Sequence, residues 1–329
     1  MGNIINAPIA LSTKAFISKY SRGHEKDADT YGIQLAASAG YHPDALATAL
    51  ERLAKGIELT TGKTEKKNYF SDHPYTPSRI TNIRNLAPNF KPVNPKPVTS
   101  SIEVFFKNFN GLCYGPNPEQ GVFNDSLFIQ PDIGFSWIVP SGWGTVNKPV
   151  GVGAYTSKGD AIITLSIADS TKAVHDIGEE VKNKATKSQG IMVLFAGDTT
   201  VNSHEAYLIR LKGVYKREEV FLELIWLKFE QNVFQLAGAF TPMNKTSAHH
   251  ALCSFRKSTP EELKSVSLLE LHFVQAKKSE TLGELSDRTD NELTIPLTSL
   301  INDMDQKNVL NENEMVKIIK DVPYEPKAK

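Results

Sequence analysis

Two carboxylates, Glu25 and Asp29, stand four residues apart in the run Ser-Arg-Gly-His-Glu-Lys-Asp-Ala-Asp at 21–29, and a helix puts residues at that spacing on one face. Carboxylate oxygens bind zinc beside histidine nitrogens, and zinc so held activates a water and polarises a carbonyl. The other ligands usually come from a helix with two histidines at i and i+4 and a glutamate after the first, which serves as general base. None of the eight histidines (24, 42, 73, 175, 204, 249, 250 and 272) has that arrangement, and His24-Glu25 does not begin one because residue 28 is alanine. One carboxylate with scattered histidines does not make the four-coordinate site that zinc prefers. Zinc is therefore not expected to bind this chain alone.

The elements around these carboxylates read as a helical hairpin. Ala28, Gly32, Leu35 and Ala36 recur at helical spacing and give a small-residue face suited to close packing against another helix. Gly40 ends the first helix, and Pro43 suits the first position of a second that runs through Leu46, Leu50, Leu53 and Ile57. Further on, His73-Pro74 precedes Arg79.

Ser21, Arg22, Glu25, Ala28, Asp29, Gly32, Ala39, Gly40, Tyr41 and Pro43, followed by the His73–Arg79 segment, fall in the order and spacing of a known family. Residues 18–86 resemble the gluzincin metallopeptidases of the HtpX and BepA kind, relatives of the CAAX prenyl protease. The resemblance implies that Glu25 is the third zinc ligand and that Asp29, one turn on, orients a histidine ligand. It implies a cleft or gating position for His73 and Arg79; the alternative is a histidine in an exposed Pro-rich turn with Arg79 in a surface ion pair. The general-base glutamate of the His-Glu-x-x-His helix is absent, so no catalytic residue is assigned within this chain. The family implies zinc in the complete enzyme, protein substrates, a periplasmic or cell-envelope location, and an N-terminal peptidase half or partner subunit that brings the missing helix. A protease-derived binding protein that starts naturally at Met1 is the alternative.

Composition narrows the class. The chain has 329 residues, 40% hydrophobic and 22% charged, which suits two or three globular domains. Lys plus Arg and Asp plus Glu number 37 each, so no net field draws the chain to nucleic acid, and none is expected as a partner. No run of about twenty apolar residues marks a membrane span, and the N-terminus has neither the basic segment nor the apolar core of a signal peptide. Cys113 and Cys253 are too few for a structural zinc site; a disulfide between them and two free thiols are both open.

Pro88, Pro92, Pro95 and Pro97 mark a linker, and Ile102–Phe109 reads as a strand or short helix. From Ser126 onward, runs rich in β-branched and aromatic residues read as strands: Phe135–Val139, Gly151–Thr156, Ala161–Ile167, Ile191–Ala196, His204–Lys212, Val214–Lys228 and Val233–Thr241. Asp169–Lys187 and Ser247–Phe255 read as helices, so the expected domain is an antiparallel sheet with helices on one face. Trp137, Trp143 and Trp226 are assigned to its core, and His249-His250 to the surface, because neighbouring helical residues point about 100° apart. The phrase Gly-Phe-Ser-Trp-Ile-Val-Pro-Ser-Gly-Trp at 134–143 resembles the opening of PsbP-like α/β domains, which implies an interaction module.

Residues 258–267 hold a capped helix start. Beyond it, Leu271–Val274, Ser279-Glu280-Thr281-Leu282, Leu285, Arg288, Ile301-Asn302 and Met315–Ile319 resemble a divergent LysM domain, which implies a βααβ unit and N-acetylglucosamine glycans such as peptidoglycan as ligands. Ser279 stands where that pattern usually has glycine. The expected architecture is thus multidomain α+β: a gluzincin hairpin in 1–86, a linker in 87–125, a PsbP-like domain in 126–257, a linker helix in 258–267, a LysM-like module in 268–322 and a tail in 323–329.

Overall fold

A computed structural model describes residues 22–62, 76–93, 99–168, 171–215 and 217–327. Their contacts form two compact units: one takes Pro116–Leu268 and the tail from Pro323, the other takes the described residues up to Gly115 together with Leu269–Val322.

The second of these units begins with helices α1 (Arg22–Ser38), α2 (Ala45–Thr61) and α3 (Thr76–Leu86). Gly40, at φ +89°, lets Tyr41 N–H turn back to the Ala36 carbonyl and stops α1. The second helix starts at Ala45, two residues later than Pro43 alone suggests, because the chain first makes a turn in which Ala45 N–H donates to His42 O. Ile33, Ala47 and Ile83, one from each helix, are fully buried, and Leu46, Leu50, Ile80, Leu86 and Phe90 pack against them. Asp29, Ile33 and Ala37 form the buried stripe of α1, whereas Ala28, Tyr31 and Leu35 are exposed.

Ile102–Phe109 is a helix, α4, capped by the Ser101 hydroxyl, which accepts from Val104 N–H. A short strand β1 (Leu112–Cys113) follows. The chain then enters the first unit, through β2 (Val122–Asn124), β3 (Leu127–Gln130), β4 (Phe135–Ile138), β5 (Gly144–Lys148), β6 (Gly151–Tyr155) and β7 (Ala161–Ile167). Helix α5 (Val174–Thr186) leads to β8 (Ile191–Val201), β9 (His204–Tyr215), β10 (Glu218–Phe229) and β11 (Asn232–Phe240). Helix α6 (Lys245–Leu252), β12 (Arg256–Lys257) and α7 (Pro260–Lys264) complete it. Seven strands form an antiparallel sheet in the order β5-β6-β7-β11-β10-β9-β8, and β12-β4-β3-β2 form a smaller one.

The expectation of helices on one face is corrected here: both faces of the large sheet are covered. On one side α5 packs over Tyr207, Ile209, Leu211, Leu222, Leu224 and Trp226. On the other, α6 and the small sheet cover Ala206, Leu208, Ile225, Leu227, Leu236 and Phe234. The run Leu224-Ile225-Trp226-Leu227 is buried at every position, and a strand without alternation is one that hides both faces. Gly178 of α5 fits only as glycine, since a Cβ there would stand 2.1 Å from the Tyr207 ring. Trp137 and Trp226 are core residues, with the Trp137 indole donating to Ala251 O at 2.8 Å; Trp143 packs at the core's margin.

The chain returns to the second unit through β13 (Ser267–Gln275), α8 (Leu282–Thr289), α9 (Ile295–Asn302) and β14 (Met315–Pro323). Strands β1, β13 and β14 form one sheet in that order. Two asparagines tie the helices to β14: Asn302 exchanges hydrogen bonds with the backbone of Lys317, and Asn291 Oδ1 accepts from Ile319 N–H. The αα pair also meets the N-terminal hairpin. Arg52 of α2 pairs with Asp303 at 2.8 Å, and Leu300 of α9 lies against Gly56 of α2.

Candidate functional site

Glu25 and Asp29 project from α1 one turn apart, and Arg79 reaches them from the first turns of α3. Its Nη1 lies 2.8 Å from Glu25 Oε2, its Nη2 2.6 Å from Asp29 Oδ1 and its Nε 3.0 Å from Asp29 Oδ2. The guanidinium thus forks onto Asp29 and touches Glu25 with its remaining arm, which is geometry that a lysine does not offer. All three side chains are largely withdrawn from solvent, at 12%, 6% and 18% exposure for Glu25, Asp29 and Arg79. Arg79 therefore sits at the carboxylates rather than in a surface ion pair. His73 lies outside the described residues, as does the side chain of His24.

At about 100° per residue, Glu25 lies on α1 between the buried stripe (Asp29, Ile33, Ala37) and the open stripe (Ala28, Tyr31, Leu35). Tyr31 is 65% and Leu35 70% exposed. Among the described residues the stripe of Ala28, Tyr31 and Leu35 is uncovered, an apolar helix face that suits a further packed element.

The donors described here do not by themselves fit zinc. Glu25 offers one carboxylate, Asp29 is engaged by the guanidinium, and among the described residues neither belongs to a group of three ligand atoms close enough to share an ion.

Of the histidine pair at 249–250, His250 is exposed as expected and His249 is only half-buried. His249 turns inward, its Nδ1 2.6 Å from Oε1 of the buried Glu223, and its neighbour one turn on is Cys253. The spacing His249-x-x-x-Cys253 was visible in the sequence; attention to histidine–histidine spacings alone passes over it. Both cysteines are free thiols.

Residues 3–87 match the family model of peptidase family M48. The chain is also similar to the beta-barrel assembly-enhancing protease of Yersinia pestis, 31% identical over 100 residues; the match takes in 30% of this chain and 19% of that protein, so it spans about a fifth of the relative's length. The N-terminal part is thus a relative of the M48 peptidases. Among solved structures, cyanobacterial PsbP from Synechocystis is similar with a TM-score of 0.32 and 14% identity over 45% of this chain and 98% of its own. LpqN of Mycobacterium tuberculosis, involved in cell envelope biogenesis, gives 0.29 and 10% over 50% and 100%. TM-scores this low carry no functional weight. No described helix is long and apolar enough to cross a membrane.

Proposed function

We propose that residues 1–86 are the third-ligand portion of a zinc metalloendopeptidase of the bacterial cell envelope, and that the catalytic centre is complete only with a His-Glu-x-x-His helix that these 329 residues do not contain. Glu25 is the zinc ligand in that complete enzyme and Arg79 is its positioning residue, with Asp29 as the anchor that holds the guanidinium. The carrying observation is the open apolar stripe Ala28–Tyr31–Leu35 alongside Glu25, because a ligand carboxylate beside an uncovered helix face suits a helix docked from outside. When bound, zinc supplies the polarised carbonyl and the activated water of amide hydrolysis. The contribution of this chain is to hold one oxygen ligand at a fixed place. Protein substrates belong to this reading, as do an interaction role for residues 126–257 and a glycan-binding role for 268–322.

The test is zinc content and casein hydrolysis of the purified chain, alone and mixed with a polypeptide carrying the family's His-Glu-x-x-His half. Proteolysis in the mixture only, lost together with one equivalent of zinc in Glu25→Ala, is the expected result. A mixture without proteolysis and without Glu25-dependent zinc overturns it and leaves a protease-derived binding protein.

A further inference from the structure

A second group of metal-ligand side chains lies far along the sequence from Glu25, in the unit built on the seven-stranded sheet. His249 is in the last turn of α6 and Cys253 caps that helix, its N–H donating to His249 O at 3.0 Å. Four residues apart on a helix, the two side chains share a face. That face looks onto β10, where Glu223 is 2% exposed, and onto β9, where Arg210 stands opposite Glu223 in the strand register. Glu223 points to this side because its strand neighbours Leu222 and Leu224 point to the other, under α5.

The distances describe a cup. His249 Nδ1 is 2.6 Å from Glu223 Oε1, and Cys253 Sγ is 3.7 Å from Nδ1 and 3.9 Å from Nε2. The three ligand atoms all lie within 4.8 Å of one another. Bonds of 2.0–2.3 Å in a tetrahedral zinc site put ligand atoms about 3.3–3.7 Å apart. The sulfur–nitrogen separation already has that value, the nitrogen–oxygen pair would open by about 0.7 Å once the hydrogen bond between them is replaced by two metal bonds, and the imidazole would turn about its Cβ–Cγ bond, because a sulfur 3.7 and 3.9 Å from the two ring nitrogens stands off the Nδ1 lone-pair axis on which an ion would sit. Arg210 Nε binds the other carboxylate oxygen, Oε2, at 3.3 Å. It orients the carboxylate from the Oε2 side, as outer hydrogen bonds do in metal sites, and its Nη2 lies 3.4 Å from both ring nitrogens of His249, so the guanidinium lines the cup beside the imidazole. His249 is about a third exposed, which gives an ion a way in.

The same three residue types could be read as a nucleophile, a base and its orienting carboxylate, but the geometry argues against it. A sulfur nearly equidistant from both ring nitrogens lies on the lone-pair axis of neither, so His249 is not placed to take the thiol proton.

We infer that Glu223 Oε1, His249 Nδ1 and Cys253 Sγ form a binding site for a single borderline-soft divalent ion of the zinc class, with the fourth position open to solvent. Carboxylate, imidazole and thiolate together select zinc or cobalt over magnesium and calcium. On binding, the Cys253 thiol proton leaves to solvent, and His249 presents Nδ1 as its lone-pair nitrogen with its ring proton on Nε2.

Cobalt(II) chloride titrated into the purified full chain tests this directly, since a thiolate ligand gives a sulfur-to-cobalt charge-transfer band in the near ultraviolet. The expected result is a band that saturates at one equivalent, is displaced by zinc chloride, disappears in Cys253→Ser, and survives in Cys113→Ser and Glu25→Ala. His249→Ala and Glu223→Gln each weaken cobalt binding tenfold or more. Cys253→Ser changes one atom and keeps the fold, as far-ultraviolet circular dichroism would verify, so it decides the matter even where the Glu223 variant unfolds. Absence of the band at stoichiometric cobalt, or its persistence in Cys253→Ser, overturns the inference.

Discussion

Replacing Arg79 with alanine should destabilise the N-terminal helices by about 3 kcal/mol, a magnitude that two routes give independently. The substitution strips a guanidinium that makes three contacts of 2.6–3.0 Å with Glu25 and Asp29. Breaking a buried ion pair by removing one partner costs about 3–5 kcal/mol, because a charge stays behind without its counterpart. Alternatively, carboxylates one helical turn apart have Cβ atoms about 5–6 Å from each other, and two negative charges at that separation repel by about 3 kcal/mol at an effective dielectric of about 20. The fully buried apolar core of the three helices is small, with Ile33, Ala47 and Ile83 at its centre, so a loss of this size approaches what a minor core can hold. Amide hydrogen exchange read on peptides from 22–62 and 76–93 is the assay, because local opening shows there first. Protection should fall in Arg79→Ala and recover only in part in Arg79→Lys, which restores the charge but not the fork. Exchange in Arg79→Ala within about 0.5 kcal/mol of the parent, the range of an ordinary surface change, would refute the reasoning and make the trio an incidental surface contact.

Three further outcomes follow from particular residues. Ser279 occupies a left-handed conformation at φ +61°; Ser279→Gly should stabilise the chain by about 0.5–1 kcal/mol, since the strain relieved exceeds the backbone entropy lost, and a lower melting temperature would contradict this. Gly178→Ala should destabilise despite alanine's helix propensity of about 1 kcal/mol, because its Cβ would enter the Tyr207 ring at 2.1 Å and overpacking costs about 1–3 kcal/mol; an unchanged melting temperature would show that helix α5 shifts freely. The fork of Arg288 on Glu280, at 2.6 and 2.9 Å, together with Lys277 N–H, pushes the Glu280 carboxyl down to about 2. An ordinary glutamate titrates near 4.3 in the unfolded chain, so this group's stabilisation is complete above that pH and is lost as pH falls from about 4 through about 2. Melting curves between pH 5 and 2 should show that loss in the parent and not in Glu280→Gln; parallel curves would remove Glu280 as its source.

Local signals were legible wherever one stretch of chain settles its own conformation. Glu25 and Asp29 share a helix face by spacing alone, Gly40 ends α1, and Thr259 with Glu262 forms the capping box that its Ser/Thr-Pro-Glu-Glu start announces. The strands of the large sheet fall close to their aromatic and β-branched runs, with Ala161–Ile167 at the same limits. Ile102–Phe109, open between strand and helix in the sequence, became a helix through the Ser101 cap. The short strands β2, β3 and β5 were not legible, because three to five residues carry too little periodicity to separate from loop.

What the sequence by itself determined is the chemistry on offer: two carboxylates, at 25 and 29, on one helix face, no His-Glu-x-x-His helix, charges in balance, and tryptophans bound for a core. Tertiary structure decided which side chains meet. Arg79, fifty residues on, closes over Glu25 and Asp29; the large sheet buries both faces; and a histidine assigned to the surface turns inward to Glu223, twenty-six residues before it. The physical reason is common to all three. Periodicity and capping depend on residues within a few positions of each other, whereas the partner of a buried charge is fixed by how separate elements pack, and a charge in the interior must find such a partner or leave.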